Sequence, residues 1–100
     1  MTDFQNLCYQ TLKTKVPAGK VITYASLAKL IGHPKAYRAV GSAMNKNPFA
    51  PKVPCHRVVK SGGDLGGFAT GTTMKIKRLK AEGVEVKNGK IKNFTRICID

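Results

Sequence analysis

The stretch Pro54-Cys55-His56-Arg57-Val58 sets a potential thiolate beside an imidazole, between a proline-rich and a glycine-rich segment. Cysteine has the side chain whose anion is both accessible near neutral pH and strongly nucleophilic, and a neighbouring base or cation brings its pKa toward the working range. Cys55 is therefore the candidate nucleophile and His56 the candidate base. The dipeptide alone is a weak signal, because most Cys-His pairs are structural. An extended segment would also turn adjacent side chains to opposite faces. On that geometry a proton leaving Cys55 for His56 crosses a bridging water. Pro48, Pro51 and Pro54 stiffen the approach, and Val53, preceding a proline, is biased toward extended backbone.

The elements that must hold this pair are mostly helical. Thr2 and Gln5 have the spacing of a capping box, followed by Phe4, Leu7, Cys8 and Leu12 at helical intervals, and Pro17-Ala18-Gly19 ends that helix. Cys8 falls on the apolar stripe and is read as a core thiol. Thr23 caps a second helix through Leu27, Leu30 and Ile31, which Gly32 stops in a left-handed conformation. Pro34 suits the first position of a third helix running through Arg38, Val40 and Met44 to a stop near Asn47-Pro48. Two helices joined by a Gly-containing turn make a helix-turn-helix, and on its second helix Arg38, Gly41, Ser42 and Asn45 share one small, polar, singly cationic face. That face suits close approach to a nucleic-acid groove; tight packing at Gly41 is the structural alternative.

Beyond the cysteine, Gly62-Gly63-Asp64-Leu65-Gly66-Gly67-Phe68 can fold close over a flat ligand, though the Gly-Lys-Ser/Thr ending of a phosphate loop is missing. Thr72 or Thr73 would cap a further helix with Ile76 and Leu79 inward and Gly83 as its stop. That leaves Glu82 at the negative end of a helix dipole, where a carboxylate calls for a specific histidine or arginine partner. Asn88-Gly89 between Val86 and Ile91 suits a tight hairpin turn, a small basic wing. Phe94, Ile97 and Ile99 pack back on the domain, with Cys98 inert. The expected fold is mainly α with a small β hairpin: a winged helix-turn-helix-like single domain spanning residues 1–100.

Charge narrows the partner. With 18 Lys and Arg against 5 Asp and Glu, a formal charge of +13 calls for an anion. Because the basic residues are spread through a patterned globular sequence, and no apolar run approaches the length of a membrane span, nucleic acid is favoured over a membrane. Cys8, Cys55 and Cys98 are odd in number and lack metal-ligand spacing, which argues against a disulfide framework and a zinc site. With no basic-plus-apolar leader at the start, the expected place is intracellular, cytoplasmic or nuclear.

Taken together, Pro54-Cys55-His56-Arg57-Val58, Tyr24 within Thr-Tyr-Ala-Ser-Leu-Ala, Arg38-Ala39-Val40-Gly41 through Met44, Asn47-Pro48 and Glu82-Gly83 resemble, in order and spacing, the DNA-binding catalytic domain of the alkylguanine-DNA alkyltransferases. The resemblance spans nearly the whole chain. It implies DNA repair in which a damaged guanine is flipped from the duplex and its O6-alkyl group is moved irreversibly to Cys55, one lesion per molecule, without cofactor or metal. In this family the cysteine, a water, the histidine and the glutamate form a proton network, here Cys55, His56 and Glu82. Arg38 would enter the base stack, Gly41 and Ser42 would allow close approach to the minor groove, Tyr24 would donate to the guanine ring, and Asn47 would tie the recognition helix to the cysteine loop.

Two departures stand out. Phe68 stands where many relatives have tyrosine, keeping the aromatic face without its hydroxyl, and Ala69 stands where serine can occur, leaving its backbone amide as donor. A separate N-terminal domain, common in larger relatives, is not expected here. The implied partner is double-stranded DNA carrying alkylated guanine, engaged by a monomer. Two other functions compete. A non-enzymatic alkyltransferase-like protein would bind the lesion and signal to another pathway, but such proteins typically carry tryptophan at the cysteine position and this chain has none. A winged-helix transcription factor would have no need of Cys55, His56 and Glu82 together.

Overall fold

The computed structural model describes residues 2–46, 52–65 and 69–99. Helix α1 (Asp3–Lys15) starts at the capping box, with both reciprocal bonds between Thr2 and Gln5 formed. Its buried residues are Cys8, Tyr9 and Leu12, so the stripe is displaced from the expected one: Leu7 is exposed and Tyr9 is inside. Tyr9 can be buried because its hydroxyl donates to the Ala43 carbonyl at 2.7 Å, satisfying the polar tip and tying α1 to the third helix.

Strand β1 (Val21–Thr23) runs directly into helix α2 (Tyr24–Leu30), with the Thr23 side chain accepting from the Ser26 amide as N-cap. The α2 end closes as expected on Gly32 at φ +82°. His33 N–H reaches the Ala28 carbonyl and Gly32 N–H the Lys29 carbonyl, the paired bonds of a Schellman end. Helix α3 (Tyr37–Asn45) completes the helix-turn-helix. It begins later than Pro34: that proline lies inside a turn closed by Ala36 N–H to the His33 carbonyl, so its fixed φ serves the turn and not the helix start. Val40, Ala43 and Met44 face the core, while Arg38, Ser42 and Asn45 are exposed.

A three-stranded parallel sheet, β2-β1-β5, was not expected from the sequence. Strand β2 is Val58–Val59 and β5 is Cys98–Ile99. With Ile22 opposite both Val58 and Ile99, and Val21 opposite Cys98, side chains alternate between two cores. Ile22, Val58 and Ile99 pack with α1, α2 and α3, whereas Val21, Val59 and Cys98 pack with Leu65, Leu79 and Ile91. The sheet is thus a wall between the helix-turn-helix and the C-terminal part, buried on both faces as parallel sheets are.

Helix α4 (Ala69–Ala81) starts before Thr72 and Thr73, which therefore lie within the helix and do not cap it. Leu79 is fully buried as expected. The α4 end repeats the Schellman geometry: Val84 N–H reaches the Leu79 carbonyl, Gly83 N–H the Lys80 carbonyl, and Gly83 sits at φ +84°. Strands β3 (Val86–Lys87) and β4 (Lys90–Ile91) form the expected hairpin, with Asn88 and Gly89 both at positive φ as a type I′ turn requires. A short helix α5 (Phe94–Ile97) leads into β5. The first part of the glycine cluster is structural. Gly62 and Gly63 turn the chain at positive φ, and a Cβ on Gly63 would stand 3.0 Å from the Phe94 ring.

Candidate active site

Pro54 is fully buried, with φ −82° and ψ 67°, and Cys55 N–H bonds the Val53 carbonyl at 2.8 Å across it. This is an inverse γ-turn built on a residue whose φ is already fixed. Cys55–Arg57 then forms a single 3₁₀ turn and passes straight into β2. The segment is therefore turned, not extended. Successive side chains are about 120° apart around a 3₁₀ helix rather than on opposite faces. Cys55 is half-buried against the helix-turn-helix core, and His56 is only 4% exposed.

His56 Nε2 lies 3.0 Å from Glu82 Oε1. Among the described residues neither ring nitrogen has an aligned hydrogen-bond partner, close as Nε2 is to the carboxylate. Burial pushes His56 below the ordinary imidazole range; the Glu82 contact opposes the shift, and the Arg57 and Arg78 charges add to it. The shift favours the neutral imidazole, with Nε2 facing Glu82 and Nδ1 without a partner among the described residues.

Glu82 occupies the C-cap of α4, held there by the Gly83 turn. Its unfavourable place on the helix dipole called for a histidine or arginine partner, and it has one of each. Arg57 donates from Nε to Oε1 at 2.9 Å and to Oε2 at 3.1 Å, and its NH2 also donates to Oε2. Burial works to raise the Glu82 pKa, but the hydrogen bonds from Arg57, the close His56 contact and the Arg57 charge outweigh it and hold the carboxyl below its usual range. Arg57 NH1 donates to the Val16 carbonyl at the end of α1, at 2.8 Å. A cation there also meets the negative end of the α1 dipole. Sequence reasoning gave Arg57 no role, although its place beside His56 in a chain with few acids was a usable signal.

Tyr24, the first residue of α2, is half-buried. Burial and then the charge of a Cys55 thiolate raise its pKa, so the hydroxyl remains a proton donor through the neutral range. Lys75 on α4, also missed from the sequence, donates to the Val58 carbonyl at 2.5 Å and stands 5.8 Å from the Tyr24 ring centroid. Burial lowers its pKa to about 8; the Cys55 charge opposes this and Lys60 reinforces it. Cys55, Tyr24 and Lys75 are thus electrostatic neighbours. Nothing in the sequence pattern marks one lysine among 18 basic residues.

Gly41 is half-buried, and a Cβ there would lie 3.9 Å from the Tyr24 ring, so α3 approaches this tyrosine closely. Arg38 and Ser42 instead face solvent. Among the described residues, Tyr24, Tyr37, Gly41, Asn45, Lys60 and Ser61 help line a cavity of about 520 Å³. Asn47 and Phe68 lie outside the described residues, and Ala69 opens α4.

Fold and site together define a helix-turn-helix domain that presents a cysteine beside a buried histidine-carboxylate pair. The family model for the DNA-binding domain of 6-O-methylguanine DNA methyltransferase matches residues 3–84, and the chain belongs to that family. It is 50% identical over 82 residues to a methylated-DNA--protein-cysteine methyltransferase of Methanosarcina acetivorans, a match covering 82% of this chain and 52% of that protein. The chain spans about half the length of the first curated relatives it matches. The crystal structure of the Mycobacterium tuberculosis O6-methylguanine methyltransferase superposes with a TM-score of 0.75 at 43% identity, covering 82% of this chain and 49% of that one. Atl1 of S. pombe, in complex with damaged DNA containing O6-carboxymethylguanine, superposes with a TM-score of 0.88 at 32% identity, covering 100% of this chain and 97% of that one. No helix among the described residues is long and apolar enough to cross a membrane.

Proposed function

We propose that this chain, acting as one DNA-binding and catalytic domain over residues 1–100, repairs O6-alkylguanine in double-stranded DNA by moving the alkyl group to Cys55. The observation that carries the reading is the buried His56 with Nε2 on Glu82 and Nδ1 unpartnered among the described residues, in the same 3₁₀ turn as Cys55. The Cys55 proton passes through water to Nδ1 of His56, and Glu82 stabilises the imidazolium that forms. The thiolate attacks the alkyl carbon; the carbon–sulfur bond forms as the bond to O6 breaks, and the electron pair stays on the guanine. Tyr24 gives its proton to the ring as charge develops there and is reprotonated through water by the His56 imidazolium, so guanine gains a proton in place of the one the thiol lost and both side chains return to their starting state. The product thioether has no hydrolytic route back, and the protein is spent.

Extrusion of the base costs a few kcal/mol, which Arg38 offsets by filling the stack from an exposed place at the start of α3. Gly41 and Ser42 bring the helix close to the groove, Asn47 joins this helix to the cysteine loop, and Phe68 with the Ala69 amide covers the guanine. The protein works as a monomer, in a compartment that keeps its free cysteines reduced.

A second reading has one observation in its favour: the near-complete mutual coverage with Atl1, crystallised with damaged DNA. On that reading the chain holds the lesion for another pathway and Cys55 stays unmodified. Incubation with duplex DNA containing O6-methylguanine, followed by peptide mass analysis, separates the two. One added methyl on Cys55, absent from C55A, is expected. Lesion-selective binding without transfer would establish the sensor instead.

A further inference from the structure

Tyr37 has no part in the chemistry above, yet it stands immediately before Arg38 and keeps 47% of its surface exposed. The core does not need it, since Val40, Ala43 and Met44 already fill the inner face of α3. Tyr37, Gly41 and Asn45 recur at i, i+4 and i+8, and this stripe lines the 520 Å³ cavity with Tyr24 and Lys60. Arg38 and Ser42 form the neighbouring, solvent-facing stripe.

We infer that Tyr37 is a further DNA-engaging residue: its ring stacks on the base flanking the extruded guanine in the damaged strand, and the Tyr24–Tyr37 cleft seats that flanking nucleotide. The inference rests on the base-extrusion reading above. The chemistry of the cleft suits such an occupant, with aromatic walls for a flat base, a glycine between them giving close backbone approach, and the Lys60 ammonium available for a phosphate. Every base offers a π-face, so Tyr37 would add affinity and hold the open state without reading sequence. The ring is what matters and the hydroxyl is dispensable.

Single-turnover methyl transfer by wild type, Y37F, Y37L and Y37A tests this, with O6-methylguanine supplied in duplex DNA and as the free base. Y37A and Y37L are expected to be about tenfold slower on the duplex, within the range that loss of one base–aromatic stack produces, while Y37F keeps the wild-type rate. All four should react equally with the free base. Y37L matching Y37F, an unimpaired Y37A, or equal losses on both substrates would overturn the role. Wild type inert toward both substrates would sink the transfer reading alone. Lesion-duplex affinity must then follow the same order, Phe above Leu and Ala, or the stacking role falls too.

Discussion

Glu82→Gln isolates the carboxylate that joins helix α4 to the cysteine turn. The carboxylate accepts the Arg57 fork and contacts His56 Nε2, with the Glu82 and Arg57 side chains only 16% and 15% exposed. Glutamine keeps the size and one acceptor oxygen but turns an amide N–H₂ toward a guanidinium or imidazole. Removing one member of a buried ion pair costs about 3–5 kcal/mol, and the remaining access to water brings this nearer ~2–3 kcal/mol. For a domain of this size each kcal/mol moves Tm by about 4–8 °C, so E82Q should melt roughly 10–20 °C below wild type at pH 7. The difference carries a pH signature. A carboxyl held below its unfolded value contributes stability that is complete above about pH 4.3 and is lost as pH falls through the folded value. The gap between the two melts should therefore close in acid. Thermal melts followed by circular dichroism from pH 7 to 3 measure this, and methyl transfer by E82Q should fall about 10²-fold because His56 loses the group that orients it. A Tm within a few degrees of wild type at pH 7, or a gap unchanged down to pH 3, would refute the claim that this carboxylate holds the site together.

Lys75→Met should flatten a rise in alkaline stability. The folded protein releases the Lys75 proton near pH 8 while the unfolded chain holds it to about 10.4, so wild-type stability relative to K75M rises with pH across that window; urea melts at pH 7.5 and 10 with a constant difference would contradict it. Arg38→Ala, at an exposed position, should leave Tm and reaction with free O6-methylguanine unchanged while slowing transfer from duplex DNA about 10²-fold, the scale set by an extrusion cost of a few kcal/mol. Equal losses on both substrates would remove Arg38 from the extrusion step.

Local grammar made much of this fold legible. Thr2 with Gln5, Thr23, Gly32, Gly83 and Asn88-Gly89 each occupy the cap, helix end or turn their residue types demand, because those conformations depend on a few neighbouring residues. The same grammar misplaced Pro34 and the α4 start, where a proline and two threonines fit more than one local role. For the site, the spacing of Cys55, His56, Glu82, Tyr24 and Arg38 was enough to suggest a family and a chemistry. It also required a partner for Glu82, through the dipole of the helix that Gly83 ends.

What only the tertiary structure decided were pairings between distant residues. The sheet is built from strands too short for a readable period, and only its register reveals Ile22, Val58 and Ile99 facing one core and Val21, Val59 and Cys98 the other. Arg57 gains its importance by reaching both Glu82 and the end of α1, and Lys75 by reaching across to Val58 and Tyr24. The sequence by itself determined where the chain turns and which residues could react, because those properties belong to side chains and their neighbours. Burial, shared partners and the resulting pKa shifts depend on what the fold brings together from far along the chain, and this is why the downward shifts of His56 and Lys75 appear only in the folded molecule.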